Sequence, residues 1–108
     1  MSAEAANELG DGETAETLLE MVRARARGSL SVLPKVEFTS QDQMRAAIKK
    51  ERRAEFGMEG KRFFDLVRWG DAVTALSSLG YQHKNRYYPI PQEAIDRSNG
   101  VLIQNPDY

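Results

Sequence analysis

Residues 51–70 read ERRAEFGMEGKRFFDLVRWG, a stretch in which acids and arginines alternate with aromatic residues. Glu51 and Glu55 lie on the same face of a predicted helix as the apolar Ile48, and Glu59 extends this row at an interval of four if helical geometry persists. Carboxylates at that spacing repel each other by roughly a few tenths of a kcal/mol per pair in an isolated helix. These three carboxylates therefore predict that cationic side chains lie nearby and neutralise them.

Arginines in the same stretch supply those cations. Arg62, Asp65 and Arg68 continue from Glu59 at intervals of three, so the signs of charge alternate along the next predicted helix. Because aromatic residues surround these charges, we predict a partly buried ion network at a junction of two helices. Its predicted members are Glu51, Arg52, Glu55, Glu59, Arg62, Asp65 and Arg68.

Clustered carboxylates also permit a catalytic interpretation, in which two of Glu51, Glu55, Glu59 and Asp65 form the acid/base pair of a glycosidase. A general acid needs a raised carboxyl pKa, whereas arginine neighbours lower the pKa of a carboxyl group. We therefore expect a structural ion network, no catalytic residue and no enzyme activity.

The first 28 residues have the pattern of a helical hairpin. Ala3–Leu9 predicts a short helix, and Gly-Asp-Gly at 10–12 predicts a turn, because glycine adopts positive φ without strain. Glu13–Arg27 predicts a second helix, and Gly28 suits its carboxyl end. Residues 1–28 are therefore expected to form an antiparallel αα-hairpin.

Two further helices are predicted around the charged stretch. Ser40, with Gln43 three residues on, matches a capping box and predicts a helix that runs to about Phe56. A fourth helix is expected over residues 61–75, so residues 39–75 hold both. The tail, residues 80–108, is expected to be irregular apart from one helical turn that starts at Pro91. The predicted fold class is mainly α.

Composition excludes several classes of function. The chain has 108 residues, a net charge of -1 and no cysteine. The balanced charge gives no basic surface for nucleic acid, and disulfides and thiolate metal sites are ruled out. His83 is the only histidine and has no clustered ligands, so no metal or other cofactor is expected.

The charged stretch resembles the ERR-x-EF-x-x-EG-x-R-x-x-D-L-x-RWG signature of the SusD/RagB family. Three further matches follow in the expected order. Residues 3–10 with 22–26 resemble its last tetratricopeptide-like helix pair, and residues 88–93 resemble its IPQ-E turn. Residues 104–108, QNPDY, are similar to its QNPGY ending, with Asp107 at the usual glycine position.

The resemblance implies the carboxy-terminal portion of a longer cell-surface lipoprotein of the outer membrane. Such a protein binds glycans or other nutrients and delivers them to a TonB-dependent transporter of the SusC type. The lipid anchor and most of the ligand-binding face would lie upstream, so membrane attachment is expected only through an anchor that this chain lacks. The resemblance assigns no ligand-binding residue here.

Other hypotheses stay open at this point. The chain could be a stand-alone helical adaptor of the tetratricopeptide type that binds a peptide. Tyr81, Tyr87 and Tyr88 are candidate sugar platforms, whereas Trp69 is expected to be a core aromatic or cation–π partner. Ala3, Ala6 and Leu9 are expected to form an exposed apolar edge, because stacked repeats bury such faces only on a neighbour.

Overall fold

The computed structural model describes residues 1–108, and its regular secondary structure is helical throughout. The α-helices are α1 (Ser2–Glu8), α2 (Gly12–Arg27), α3 (Gln41–Glu55), α4 (Arg62–Trp69), α5 (Ala72–Leu76) and α6 (Gln92–Arg97), with single 3₁₀ turns at Ser77–Leu79 and His83–Arg86. No strand forms, so the predicted mainly α class is confirmed. No helix has both the length and the apolar character that crossing a membrane requires.

Two compact units make up the chain. Unit 1, Met1–Glu59, contains α1 to α3 and the connector between α2 and α3. Unit 2, Gly60–Tyr108, contains α4 to α6 and the tail.

The predicted hairpin forms in unit 1 from α1 and α2. Gly10 has a φ of +84°, and the N–H groups of Gly10 and Asp11 donate to the carbonyls of Asn7 (3.1 Å) and Ala6 (2.9 Å), which is a Schellman motif. The Asp11 carboxylate then accepts from the Thr14 N–H at 3.0 Å and caps α2. Local hydrogen bonds thus fix both the end of α1 and the start of α2.

The third helix packs across the hairpin and closes the core of unit 1. The buried residues are Ala15, Leu19, Met44 and Ile48, and Ala3, Ala6, Val36 and Ala47 pack against them. The expectation of an exposed apolar edge is therefore wrong for Ala3 and Ala6, because α3 contacts α1 and its apolar face covers them. Only Leu9 of that set is largely exposed, at 86%.

Hydrogen bonds at the start of α3 join it to α1. Ser40 Oγ accepts from the Gln43 N–H at 3.2 Å, as predicted, while the Gln43 side chain accepts from Thr39 rather than completing a capping box with Ser40. Asn7 Nδ2 donates to the Gln41 carbonyl at 3.0 Å, and Gln41 Nε2 donates back to the Asn7 carbonyl at 2.7 Å. This reciprocal pair fixes the carboxyl end of α1 on the amino end of α3.

Ion pairs on the surface of unit 1 reinforce the same joints. Arg45 donates to both carboxylate oxygens of Glu8 at 2.7 Å, and these hydrogen bonds hold the pKa of Glu8 below its usual value. Glu16 accepts from Lys35 and from the Phe38 N–H (2.6 Å), which lowers the pKa of Glu16 and ties the connector to α2. Ionised carboxylates therefore contribute to the packing of α1, α3 and the connector.

Unit 2 differs from prediction in the length of its first helix. The helix expected over residues 61–75 is divided into α4 and α5 at Gly70, which has a φ of +76°. The N–H groups of Gly70 and Asp71 donate to the carbonyls of Val67 (3.1 Å) and Leu66 (2.9 Å), so a second Schellman motif ends α4. Glycine adopts this left-handed conformation without steric cost, which is why the chain turns here.

The tail is mostly irregular, as predicted, although it also forms a 3₁₀ turn at His83–Arg86 that was not predicted. Its side chains anchor it. Pro91 is the N-cap residue of α6 rather than its first residue. Three terminal side chains bond the backbone of residues 87–90: Gln104 with the N–H and carbonyl of Ile90 at 2.8 and 2.9 Å, Asn105 with the Tyr88 carbonyl at 2.6 Å, and Tyr108 with the Tyr87 carbonyl at 3.0 Å. The QNPDY ending thus holds the Tyr-Tyr-Pro-Ile segment in place.

Candidate functional site

A buried ion pair joins α2 to α3. Arg23 Nη1 donates to Glu51 Oε2, and the two side chains are only 12% and 10% exposed. Arg23 Nε and Nη2 also donate to the Pro34 carbonyl, at 3.3 and 3.0 Å. One guanidinium therefore ties together α2, α3 and the connector, in the fork geometry for which arginine is suited.

A second, more exposed pair lies beside it. Arg25 Nη2 donates to Glu55 Oε2 at 3.0 Å, with the arginine side chain 74% exposed. Arg52 lies over the ring of Phe56, 5.0 Å from its centroid. Near the end of α3, Glu55 thus pairs with an arginine of α2. Arg52 contacts the ring of Phe56, the residue that caps the helix.

The charged residues of α4 make equivalent contacts in unit 2. Asp65 is buried and accepts from Arg68 Nη2 at 3.1 Å. The guanidinium groups of Arg68 and Arg62 lie 5.2 and 6.0 Å from the centroid of the Trp69 ring. These contacts match the cation–π role expected of Trp69.

The sequence-predicted site residues are thus only partly brought together. Asp65 and Arg68 pair as neighbours three apart, whereas Glu51 and Glu55 pair with arginines outside the predicted set. A single network that includes Glu59 and joins α3 to α4 stays a prediction.

Sequence reasoning missed Arg23 although the pattern contained a signal for it. Arg23 continues the spacing of four set by the buried Ala15 and Leu19, and Glu51 continues the buried stripe of Ile48. Two core stripes on neighbouring helices therefore each end in a charge, and the charges have opposite signs. That combination predicts a pair across the helix interface.

An apolar cavity of about 130 Å³ lies in unit 1. It is lined by Met1, Ala3, Leu18, Leu19, Val22, Ile48, Glu51, Arg52, Glu55 and Phe56. Its two carboxylates are the ones that pair with Arg23 and Arg25. The cavity therefore offers apolar surface and ion-paired acids, and no open acid/base pair.

Unit 2 contains a different cavity, of about 170 Å³. It is lined by Val67, Gly70, Ala72, Val73, Tyr81, His83 and Arg86. Arg86 Nη1 lies 2.6 Å from His83 Nε2, and the Tyr81 ring meets the Phe63 ring edge-on at 5.9 Å. Of the three candidate sugar platforms, Tyr81 lines this cavity, while Tyr88 is 74% exposed and Tyr87 lies under Arg86 at 4.7 Å.

The terminal motif has a backbone feature of its own. Asp107 has a φ of +69°, in the left-handed region that glycine adopts most readily. Lys84 Nζ donates to the Asp107 carbonyl at 3.3 Å and lies 5.1 Å from the centroid of the Tyr108 ring. The φ angle gives a physical reason why glycine would suit this position.

Comparisons with known proteins support the family resemblance of the chain. A family model described as the SusD family matches residues 1–86. The SusD-like protein P2 of Formosa agariphila (strain DSM 15362 / KCTC 12365 / LMG 23005 / KMM 3901 / M-2Alg 35-1) is 34% identical over 119 aligned residues, which cover 100% of this chain and 24% of that protein. The chain thus spans about a quarter of the length of this curated relative. No solved structure matches it. Since the family model covers most of its length, the chain belongs to the SusD family.

Proposed function

We propose that this chain is the carboxy-terminal portion of a nutrient-binding protein of the cell surface, held in the outer membrane by a lipid anchor. The full-length protein captures glycans or other nutrients and passes them to a TonB-dependent transporter of the SusC type. It performs no chemical step. Membership of the SusD family is the observation that carries this proposal.

The described contacts support a scaffolding role for this portion. Arg23 joins α2, α3 and the connector through one buried guanidinium, and Asn7 and Gln41 join α1 to α3. Asp65 pairs with Arg68 within unit 2. Of the family signature, Glu51 therefore helps to hold α3 against α2, and the Asp65–Arg68 pair lies within α4 itself.

The two rival hypotheses receive less support. A glycosidase needs a carboxylic acid that can give up a proton and a second carboxylate free to act on the sugar. Glu51, Glu55 and Asp65 each accept a hydrogen bond from arginine instead. A stand-alone tetratricopeptide adaptor needs an open hairpin face, whereas α3 covers the face formed by Ala6 and Leu19.

Isolation of the full-length protein from its own outer membrane tests the proposal. We expect it to fractionate with outer membranes, to co-purify with a TonB-dependent transporter and to bind at least one glycan in calorimetric titration. A variant that lacks the lipidated cysteine is the control and should leave the membrane fraction while keeping glycan binding. Recovery without a transporter, together with no binding to any glycan of a broad panel, would refute the proposal.

A further inference from the structure

We infer that the cavity of unit 2 binds a sugar ring that carries a carboxylate, such as the uronate unit of an acidic glycan. The inference rests on the proposed nutrient-binding function and gives it a ligand class. Its basis is the set of lining groups: an apolar wall, one tyrosine and two hydrogen-bond donors, with no carboxylate among them.

Arg86 is the charged group of the cavity, and no carboxylate pairs with it. Its guanidinium forms one hydrogen bond, to His83, and lies over the Tyr87 ring. Arg23 and Arg25 of unit 1, by contrast, each pair with a glutamate. A guanidinium held in place by neutral groups retains N–H donors for a planar carboxylate, which it can bind through two parallel hydrogen bonds.

His83 adds a second donor. Arginine carries no acceptor, so the 2.6 Å contact requires His83 Nε2 to accept from Arg86 Nη1. With Nε2 as the acceptor, Nδ1 is the ring nitrogen that can donate. Two donors and no acidic side chain therefore line the cavity, and an anion or a carbonyl-rich group complements them better than a cation does.

The apolar lining residues of the cavity favour a sugar ring as the ligand. Val67, Ala72 and Val73 provide apolar surface, and the half-buried Tyr81 ring is held by its edge-on contact with Phe63. A cavity of about 170 Å³ is smaller than the roughly 300–1,000 Å³ of pockets for drug-sized ligands, so it suits one small ring. A sugar ring offers apolar C–H faces to this wall, and its carboxylate reaches Arg86.

Methyl NMR on this chain tests the inference with three probes: glucuronate, glucose and acetate. We expect glucuronate to shift the methyl resonances of Val67 and Val73 in a saturable manner. Glucose lacks the charge and acetate lacks the ring, so both should bind at least about tenfold more weakly. Equal binding of glucose, or shifts that spare both valines, would overturn the inference.

Variants test whether glucuronate binds in this cavity. Arg86→Gln should weaken glucuronate binding at least about tenfold without changing the affinity for glucose. Val73→Phe should fill the cavity and abolish both. Arg53→Gln is the matched control, because Arg53 is an exposed arginine that lines neither cavity, and it should bind as the wild type does. Unchanged glucuronate affinity in a folded Arg86→Gln variant would overturn the inference. That result would leave the proposed function standing, because the proposed function is tested separately by the isolation of the full-length protein.

Discussion

Arg23 and Glu51 lie 28 residues apart in the chain and meet in a buried, charge-assisted hydrogen bond between α2 and α3. The same guanidinium reaches the Pro34 carbonyl, so this α2 arginine has partners on two other segments, α3 and the connector. Each residue ends a buried apolar stripe of its helix. The pair therefore joins the hairpin to α3 where the two apolar stripes end, and we expect it to favour this register of packing.

Removal of one partner should be costly. Arg23→Ala leaves Glu51 buried without its cation, and we expect the free energy of unfolding to fall by about 3 kcal/mol in urea denaturation. Arg25→Ala is the control, because its pair with Glu55 is largely exposed and should contribute less than about 1 kcal/mol. Equal losses in the two variants would show that burial does not set the strength of these pairs.

Substitution of Gly70, which separates α4 from α5, should destabilise the chain because of the backbone conformation at this residue. A Cβ atom at Gly70 would meet nothing within 4 Å, so the cost of Gly70→Ala comes from its φ of +76° alone. We expect a loss of about 1 kcal/mol in thermal unfolding, and a smaller loss for Gly70→Asn, because asparagine tolerates the left-handed region. An alanine variant as stable as the wild type would contradict this account.

Local signals in the sequence predicted most of unit 1. The hairpin turn at 10–12 and the Ser40 cap depend on residues within a few positions of each other, and both form. The Arg23–Glu51 and Arg25–Glu55 pairs join residues 28 and 30 apart, so helical spacing within one segment did not reveal them.

The errors in unit 2 have a different origin. Gly70 ends one helix and Asp71 is the N-cap residue of the next. The apolar pattern nevertheless continues through residues 72–76, so the sequence suggests a single helix. The cavity around Arg86 depends on how α4, α5 and the segment after Gly80 pack together, which no local pattern specifies.

The left-handed backbone at Asp107 should favour glycine and disfavour β-branched residues. Asp107→Val places a β-branched side chain at a φ of +69°, and we expect a cost of about 1–2 kcal/mol that loosens the terminal segment. Asp107→Gly should keep the segment at least as well ordered. Hydrogen exchange at the N–H groups of Ile90 and Asn105, which bond Gln104, reports the difference. Equal exchange rates in both variants would argue against strain at Asp107.

Acid should destabilise unit 1. Hydrogen bonds from Arg45, Thr14 and Lys35 respectively lower the pKa values of Glu8, Asp11 and Glu16 in the folded chain. The stabilisation they give is therefore fully present above the unfolded-state values of about 4 and is lost as pH falls through the lower folded-state values.

Thermal unfolding from about pH 7 to about pH 3 measures this loss. We expect the melting temperature to fall across the acid range, and Glu8→Gln to show a smaller fall because one of the titrating groups is gone. A melting temperature that does not change with pH, or an undiminished fall in Glu8→Gln, would contradict the role assigned to these ion pairs.

We propose that the acids and arginines of the family signature form structural ion pairs and transfer no protons. Glycan turnover by the full-length protein, measured beside its Glu51→Gln variant on a panel of polysaccharides, tests this proposal. We expect no hydrolysis by either protein and a lower unfolding midpoint for the variant. Hydrolysis by the wild type that disappears in a folded Glu51→Gln variant would contradict it.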